Sequence, residues 1–129
     1  MRTRPDGQAG SAAVEFALVL PLVLVVALAL VQVGLLARDR LLVEAAARAG
    51  ARAAAVEADD AAIRAAALAA APSLDQSASA VQVDRLGTQG DPVTVTIAYD
   101  EPIRVPLIGW LFGASVEMSA AATDRQEFA

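Results

Sequence analysis

Acidic side chains are the groups in this chain whose type and spacing could do chemistry, because it has no histidine and no cysteine. Asp59 and Asp60 form one adjacent pair, and Asp100 and Glu101 form another. A lone acidic pair before a helix is more often a cap than a metal site, and adjacent side chains in a strand point apart. Since no nucleophile has a base beside it, we expect a protein that is not an enzyme and that holds no cofactor or metal.

The remaining conspicuous acid is Glu15, which stands at the entrance to a long apolar run. No further charge occurs before Arg38. A carboxylate is disfavoured by roughly 2.5–3.5 kcal/mol at the centre of an inserted helix and is still discouraged near its edge. Glu15 is therefore expected to have a partner or a role in processing; the other interpretation is a first-turn acid favoured by the helix dipole.

The apolar run from Phe16 to Ala37 is long enough to cross a bilayer once. Its 22 residues make about 33 Å of helix, against a hydrocarbon core of roughly 30 Å. Pro21 and Gly34 are tolerated in membrane helices, and we expect Gln32 to be satisfied by a neighbouring helix or to lie at the lipid edge. The run exceeds the 7–15 apolar residues typical of a cleavable secretory signal, which disfavours that interpretation.

Charge limits the partners and gives one indication of orientation. The net charge of −5 argues against a nucleic-acid partner, which would need a basic face. All ten cationic residues are arginine, and more of them follow the run closely than precede it. By the positive-inside rule alone, the C-terminal side would face the cytoplasm.

Two segments carry a resemblance to a known family. The sequence GSAAVEFALVLP, Gly10–Pro21, resembles the amino-terminal region of TadE-like proteins, the minor pseudopilins of tight-adherence (Flp, type IVb) pili. The sequence AAARAGARAAA, Ala45–Ala55, is similar to the small-residue, arginine-bearing helix of that family. Its members carry a short basic leader that ends at a glycine, after which a prepilin peptidase cuts on the cytoplasmic side.

The resemblance implies a processing site and an assembly site. The cut would fall between Gly10 and Ser11, which makes Glu15 the fifth and Phe16 the sixth mature residue. Cleavage would create an α-amine on Ser11 with a reference pKa near 7.7–8.0. Glu15 could pair with that amine in its own chain or on an adjacent subunit. The resemblance implies the second contact, which is head-to-tail and so permits a filament to grow.

The function that the resemblance implies is that of a bacterial minor pilin or pseudopilin. It would be processed by a prepilin peptidase and act in assembly of a tight-adherence pilus or a related secretion system. The implied partners are that peptidase, other pilin and pseudopilin subunits, the inner-membrane assembly platform and the lipid bilayer. The alternative is an uncleaved single-span membrane protein whose small extracytoplasmic domain binds something else.

The leader pattern also implies a location and an orientation. The protein would cross the inner membrane once, with a cytoplasmic N-terminus and an extracytoplasmic C-terminal domain, and could be incorporated in the pilus. This conflicts with the arginine count. We favour the leader, because its pattern is more specific than that count.

The elements after the run are a helix, a second short helix and strands. Good helix formers continue from Arg38 to Val56, and Asp59 or Asp60 is predicted to cap a helix over Ala61–Ala71. Period-two alternation predicts strands at Ala80–Leu86, Pro92–Tyr99, Pro102–Leu107 and Ser115–Thr123, the first two joined by a five-residue hairpin loop. The apolar segment Gly109–Gly113 is expected either to close the core or to contact a partner or the bilayer.

The predicted fold class is therefore α+β and pilin-like. A long N-terminal helix, membrane-spanning in its first half, is joined to a short helix and a small antiparallel sheet. The predicted divisions are a leader at residues 1–10, a transmembrane helix at 11–37, a helical stalk at 38–72 and a sheet domain at 73–129. Because so small a sheet is marginal alone, one face should pack on the helix that leaves the membrane.

Overall fold

The computed structural model of the protein describes residues 7–105 and 109–127. A long helix, α1, spans Gly7–Val56, and α2 spans Asp60–Ala69. A 3-10 turn at Gln76–Ala78 precedes the strands, which are β1 at Ser79–Arg85, β2 at Pro92–Pro102 and β3 at Ser115–Arg125; the one-turn helix α3 at Gly109–Phe112 lies between β2 and β3. The sheet is antiparallel in the order β1-β2-β3. The α+β fold class is confirmed.

Helix α1 is one continuous element of 50 residues, about 75 Å long at 1.5 Å per residue. Pro21 lies inside it without ending it. Its most apolar stretch is entirely unburied, and the helix is long and apolar enough to cross a membrane once. The predicted boundary between residues 37 and 38 falls within this helix, and residues 1–6 of the predicted leader lie outside the described residues.

The core lies between the C-terminal half of α1, helix α2 and the inner face of the sheet. α1 contributes mainly small side chains and β2 contributes larger ones: Val43, Ala46, Ala47, Ala51 and Ala54 face Val93, Val95, Ile97 and Tyr99 in one buried cluster. At Gly50, an added Cβ would lie 2.8 Å from Val95 Cγ1 and 3.2 Å from Ala67 Cβ. The expected packing of one sheet face on the helix is confirmed, and small residues on α1 allow the close approach.

The acidic pair before α2 is a helix start, as its sequence predicted. The Asp59 carboxylate accepts a hydrogen bond from the Ala61 N–H at 3.0 Å, and Asp60 forms an ion pair with Arg85. α2 ends at Ala69, two residues before the predicted end. Asp59 thus satisfies a donor that the first turn of a helix leaves unpaired.

The hairpin between β1 and β2 forms almost where it was expected. β1 ends at Arg85 and β2 begins at Pro92, which gives a six-residue connection in place of the predicted five. Gly87 and Gly90 have φ of +89° and +90°, a conformation that L side chains rarely adopt. β2 continues three residues past the predicted Tyr99, because its whole length pairs with β3.

The predicted strand at Pro102–Leu107 is wrong where the structure describes it. Pro102 is the last residue of β2, and Ile103–Val105 form no strand; residues 106 and 107 lie outside the described residues. The Ile103 N–H donates to the Ala114 carbonyl at 3.0 Å and closes the neck of a loop. The Val105 N–H goes to a side chain of α1, so it is not available for a strand ladder.

Candidate processing and assembly site

The predicted processing site lies in the exposed beginning of α1. Gly10 and Ser11 are both helical and exposed, and a Cβ added at Gly10 would meet nothing within 4 Å. Helix ends fray readily because few contacts hold them. The first turns of α1 can therefore open to a peptidase without disturbing the packed core.

Ser11 and Glu15 lie one turn apart on the same face of α1. The Ser11 hydroxyl donates to Glu15 Oε1 at 3.2 Å, and both residues are exposed. A cut after Gly10 would leave its new α-amine on the residue whose side chain already contacts this carboxylate. The neighbouring Phe16 is 67% exposed, so the structure leaves all four predicted site residues free for contacts outside the chain.

Gln32, the single polar side chain inside the apolar run, has an intramolecular partner. It is fully buried, and its Oε1 accepts a hydrogen bond from the Val105 N–H at 3.3 Å. This partner is the loop between β2 and β3 rather than a neighbouring helix, and the Gln32 Nε2 has no hydrogen-bond partner among the described residues. Sequence reasoning missed this contact because a glutamine 73 positions from its partner gives no local signal.

The loop between β2 and β3 reaches back along α1 and exposes apolar side chains. We call its described part, residues 103–105 and 109–114, the tip. Trp110 is 77% exposed and Leu111 is 52% exposed. Of the two alternatives expected for this segment, closing the core is therefore wrong for these two residues, and a contact with a partner or the bilayer stays a prediction.

A charged pair joins the end of β2 to the tip. Glu101 is 1% exposed, and its Oε1 lies 3.1 Å from Arg104 Nε. Burial raises the pKa of the Tyr99 phenol, and the nearby Glu101 carboxylate raises that pKa further. Asp100, which precedes Glu101, is exposed whereas Glu101 is buried, so these two adjacent carboxylates point apart as predicted.

The fold is pilin-like: a membrane-length helix packs its C-terminal half on a small antiparallel sheet. Residues 10–52 match the family model of TadE-like proteins. This match covers 43 of the 129 residues, and it confirms the predicted resemblance. Comparison with curated proteins and with solved structures gives no match.

Proposed function

We propose that this protein is a minor pilin or pseudopilin that a prepilin peptidase cuts between Gly10 and Ser11, and that acts in assembly of a tight-adherence pilus or a related secretion system. The observation that carries the proposal is the TadE-like match, which begins at Gly10. The exposed Ser11–Glu15 pair on the bare part of α1 supports it. The proposed partners are the peptidase, other pilin subunits and the inner-membrane assembly platform.

The assembly step uses the part of α1 that the sheet domain leaves bare. Apolar surface alone provides little drive for association between helices inside a lipid bilayer, so polar pairs and close packing select the partners and their register. Glu15 is the acidic group on this bare part, and it needs a cation at the membrane edge. The Ser11 amine of an adjacent processed subunit supplies one, and the resulting head-to-tail contact repeats along a filament.

The proposed orientation places the N-terminus in the cytoplasm and the sheet domain outside. The arginines after the apolar run argue against this only by the positive-inside rule, which applies to short loops; larger domains translocate largely regardless of charge. The described residues after the run form such a domain, in which the end of α1, helix α2 and the sheet share one buried core. The leader pattern therefore supports the proposed orientation.

Substitution of Glu15 separates assembly from processing. Glu15→Gln and Glu15→Ala should leave the cut after Gly10 largely intact and leave the protein in the membrane at normal or higher abundance. Removing the carboxylate also removes its cost of insertion. Recruitment into the complex should fall in both variants. It should fall further in Glu15→Lys, because a second cation would face the amine.

Crosslinking measures the recruitment step directly. The chain has no cysteine, so Ala12→Cys provides a unique attachment point one residue from Ser11. Glu117→Gln, the same change at an exposed site in β3, is the matched control and should preserve crosslinks and filaments. Unchanged crosslinks and normal filaments in Glu15→Gln would show that Glu15 has no role in assembly and is only an acid near the end of the helix.

A further inference from the structure

The sheet domain extends along α1 as far as the apolar run. At one end the Glu127 N–H donates to the Ala55 carbonyl at 2.7 Å, and at the other the Val105 N–H donates to Gln32. Ala55 and Gln32 are about 35 Å apart along an ideal helix. Because Gln32 lies inside the run Phe16–Ala37, part of the domain contacts the apolar run itself.

If the tip stayed in water, the uncovered apolar part of α1 would be too short to cross the hydrocarbon core. From Phe16 to Val31 there are 16 residues, about 24 Å of helix, whereas the hydrocarbon core is roughly 30 Å thick. A tip held in water would therefore thin the bilayer or draw Glu15 into it. If the tip enters the membrane, the full run to Ala37 is available and its length of about 33 Å matches the core.

The surface of the tip suits the boundary between lipid headgroups and acyl chains. Trp110 and Leu111 are exposed, and tryptophan is enriched at that boundary, where its ring is amphipathic. The Arg104 side chain is 52% exposed. Arginine can bury its stem in apolar surroundings while its head stays among phosphates, so it is compatible with this position.

Charged residues limit how deep the tip can lie. Asp100 and Glu117 are exposed and lie opposite each other in β2 and β3, two residues from the start of the loop at Pro102 and Ser115. Arg38 and Arg40 on α1 are also exposed. This polar belt stays in water or among headgroups, so only the tip can be immersed.

We propose that the tip is a second membrane contact of this protein. Trp110 and Leu111 enter the interface of the leaflet that faces the sheet domain, beside the helix that crosses the same bilayer. Lipid is the occupant, because the loop that carries the exposed Trp110 and Leu111 also contacts α1 at Gln32, inside the apolar run. The inference rests on α1 crossing the bilayer, which the proposed function also requires, but on neither cleavage nor assembly.

Trp110 reports its own surroundings, because it is the only tryptophan of the chain. Full-length protein is reconstituted at high lipid excess in vesicles of phosphatidylethanolamine and phosphatidylglycerol. Spin-labelled lipids carry the quencher either near the headgroup end or near the terminal methyl of the acyl chain. We expect blue-shifted Trp110 emission, stronger quenching by the label near the headgroup, and weak quenching by aqueous iodide.

A matched variant places the probe at the opposite end of the domain. Leu86, in the hairpin loop, is 72% exposed and lies at the Ala55 end, next to Arg85 whose Nη2 donates to the Glu57 carbonyl. Leu86→Trp combined with Trp110→Phe should show red-shifted emission, strong iodide quenching and no lipid quenching. Leu111→Ser with Trp110 retained should weaken the lipid quenching of Trp110.

The outcomes that overturn the inference are distinct. Strong iodide quenching of Trp110 without lipid quenching, in protein that resists extraction by alkaline carbonate, places the tip in water and leaves the proposed function untouched. Shielding of Trp110 that disappears when the protein is diluted in lipid assigns the tip to a second copy. Full extraction by carbonate would contradict the inference and the membrane anchoring of the proposed function together.

Discussion

Glu15 and Gln32 are both polar residues on an apolar helix, but they differ in burial and in hydrogen-bond partner. Gln32 is buried and accepts a hydrogen bond from within the chain. Glu15 is exposed, and its contact is the hydroxyl of Ser11 one turn away. Buried polar groups are usually paired, and Gln32 is paired at Oε1 while its Nε2 has no partner among the described residues. An exposed carboxylate near a membrane remains free to recruit a partner. The first is thus structural, and the second carries the proposed assembly.

Tyr99 provides a test at the residue scale, because it is the only tyrosine of the chain. Burial raises the pKa of its phenol above the usual value, and Glu101 adds to the shift. The folded protein therefore keeps the phenolic proton at a pH where the unfolded chain loses it. The stability from the neutral phenol should be fully present below about pH 10 and decline as pH rises beyond it.

Absorbance of the phenolate measures this titration without interference from another tyrosine. The midpoint in folded protein should lie above that in denatured protein. Tyr99→Phe, whose ring is retained, should remove this contribution to the loss of stability at high pH. A folded-state midpoint equal to the denatured one would show that the phenol is not buried as described.

At the scale of elements, the contact of α1 with the sheet depends on small residues. Gly50 approaches both Val95 and Ala67, so a methyl group there meets two neighbours. We expect Gly50→Ala to be destabilising, because overpacking costs about 1–3 kcal/mol while the gain in helix propensity is about 1 kcal/mol. Gly34→Ala is the matched control, since a Cβ at Gly34 meets nothing within 4 Å.

Urea unfolding in detergent compares the two variants. The midpoint should fall for Gly50→Ala and stay equal or rise for Gly34→Ala. Equal midpoints for both variants would mean that α1 does not approach the sheet as closely as the structure places it.

The sequence predicted those elements whose causes are local. The long helix, the Asp59 cap and the hairpin follow from helix formers, a capping side chain and period-two alternation, and all are present. The predicted third strand is absent from the described residues although Ile103 and Val105 fit the period-two pattern. Their N–H groups donate to Ala114 and Gln32 instead of to a neighbouring strand. Packing determines such long-range hydrogen bonds, and local periodicity does not predict them.

The same distinction holds for the candidate site. Gly10, Ser11, Glu15 and Phe16 were predicted because the pattern is contiguous, and the structure leaves them exposed at the start of α1. Neither the α3 turn nor the contact of its loop with Gln32 could be predicted. Trp110 is apolar, and its type is equally compatible with a core and with a membrane interface.

At the scale of the whole molecule, the proposed function requires one membrane crossing, with the sheet domain outside the cytoplasm. Alkaline phosphatase fused after Ala129 should be active, because that enzyme requires an oxidising compartment to form its disulfides. A fluorescent cytoplasmic reporter at the same position should stay dark. Fluorescence of the cytoplasmic reporter with an inactive phosphatase would reverse the proposed orientation.

The intact mass of the protein purified from its native membrane tests directly whether the chain is cut between Gly10 and Ser11. We expect a chain that lacks residues 1–10 and begins at Ser11. A bulky residue in Gly10→Leu should keep the leader attached, although the space around Gly10 is open and the fold should be unaffected. A native chain that retains Met1 or Arg2 while pili form normally would contradict the account.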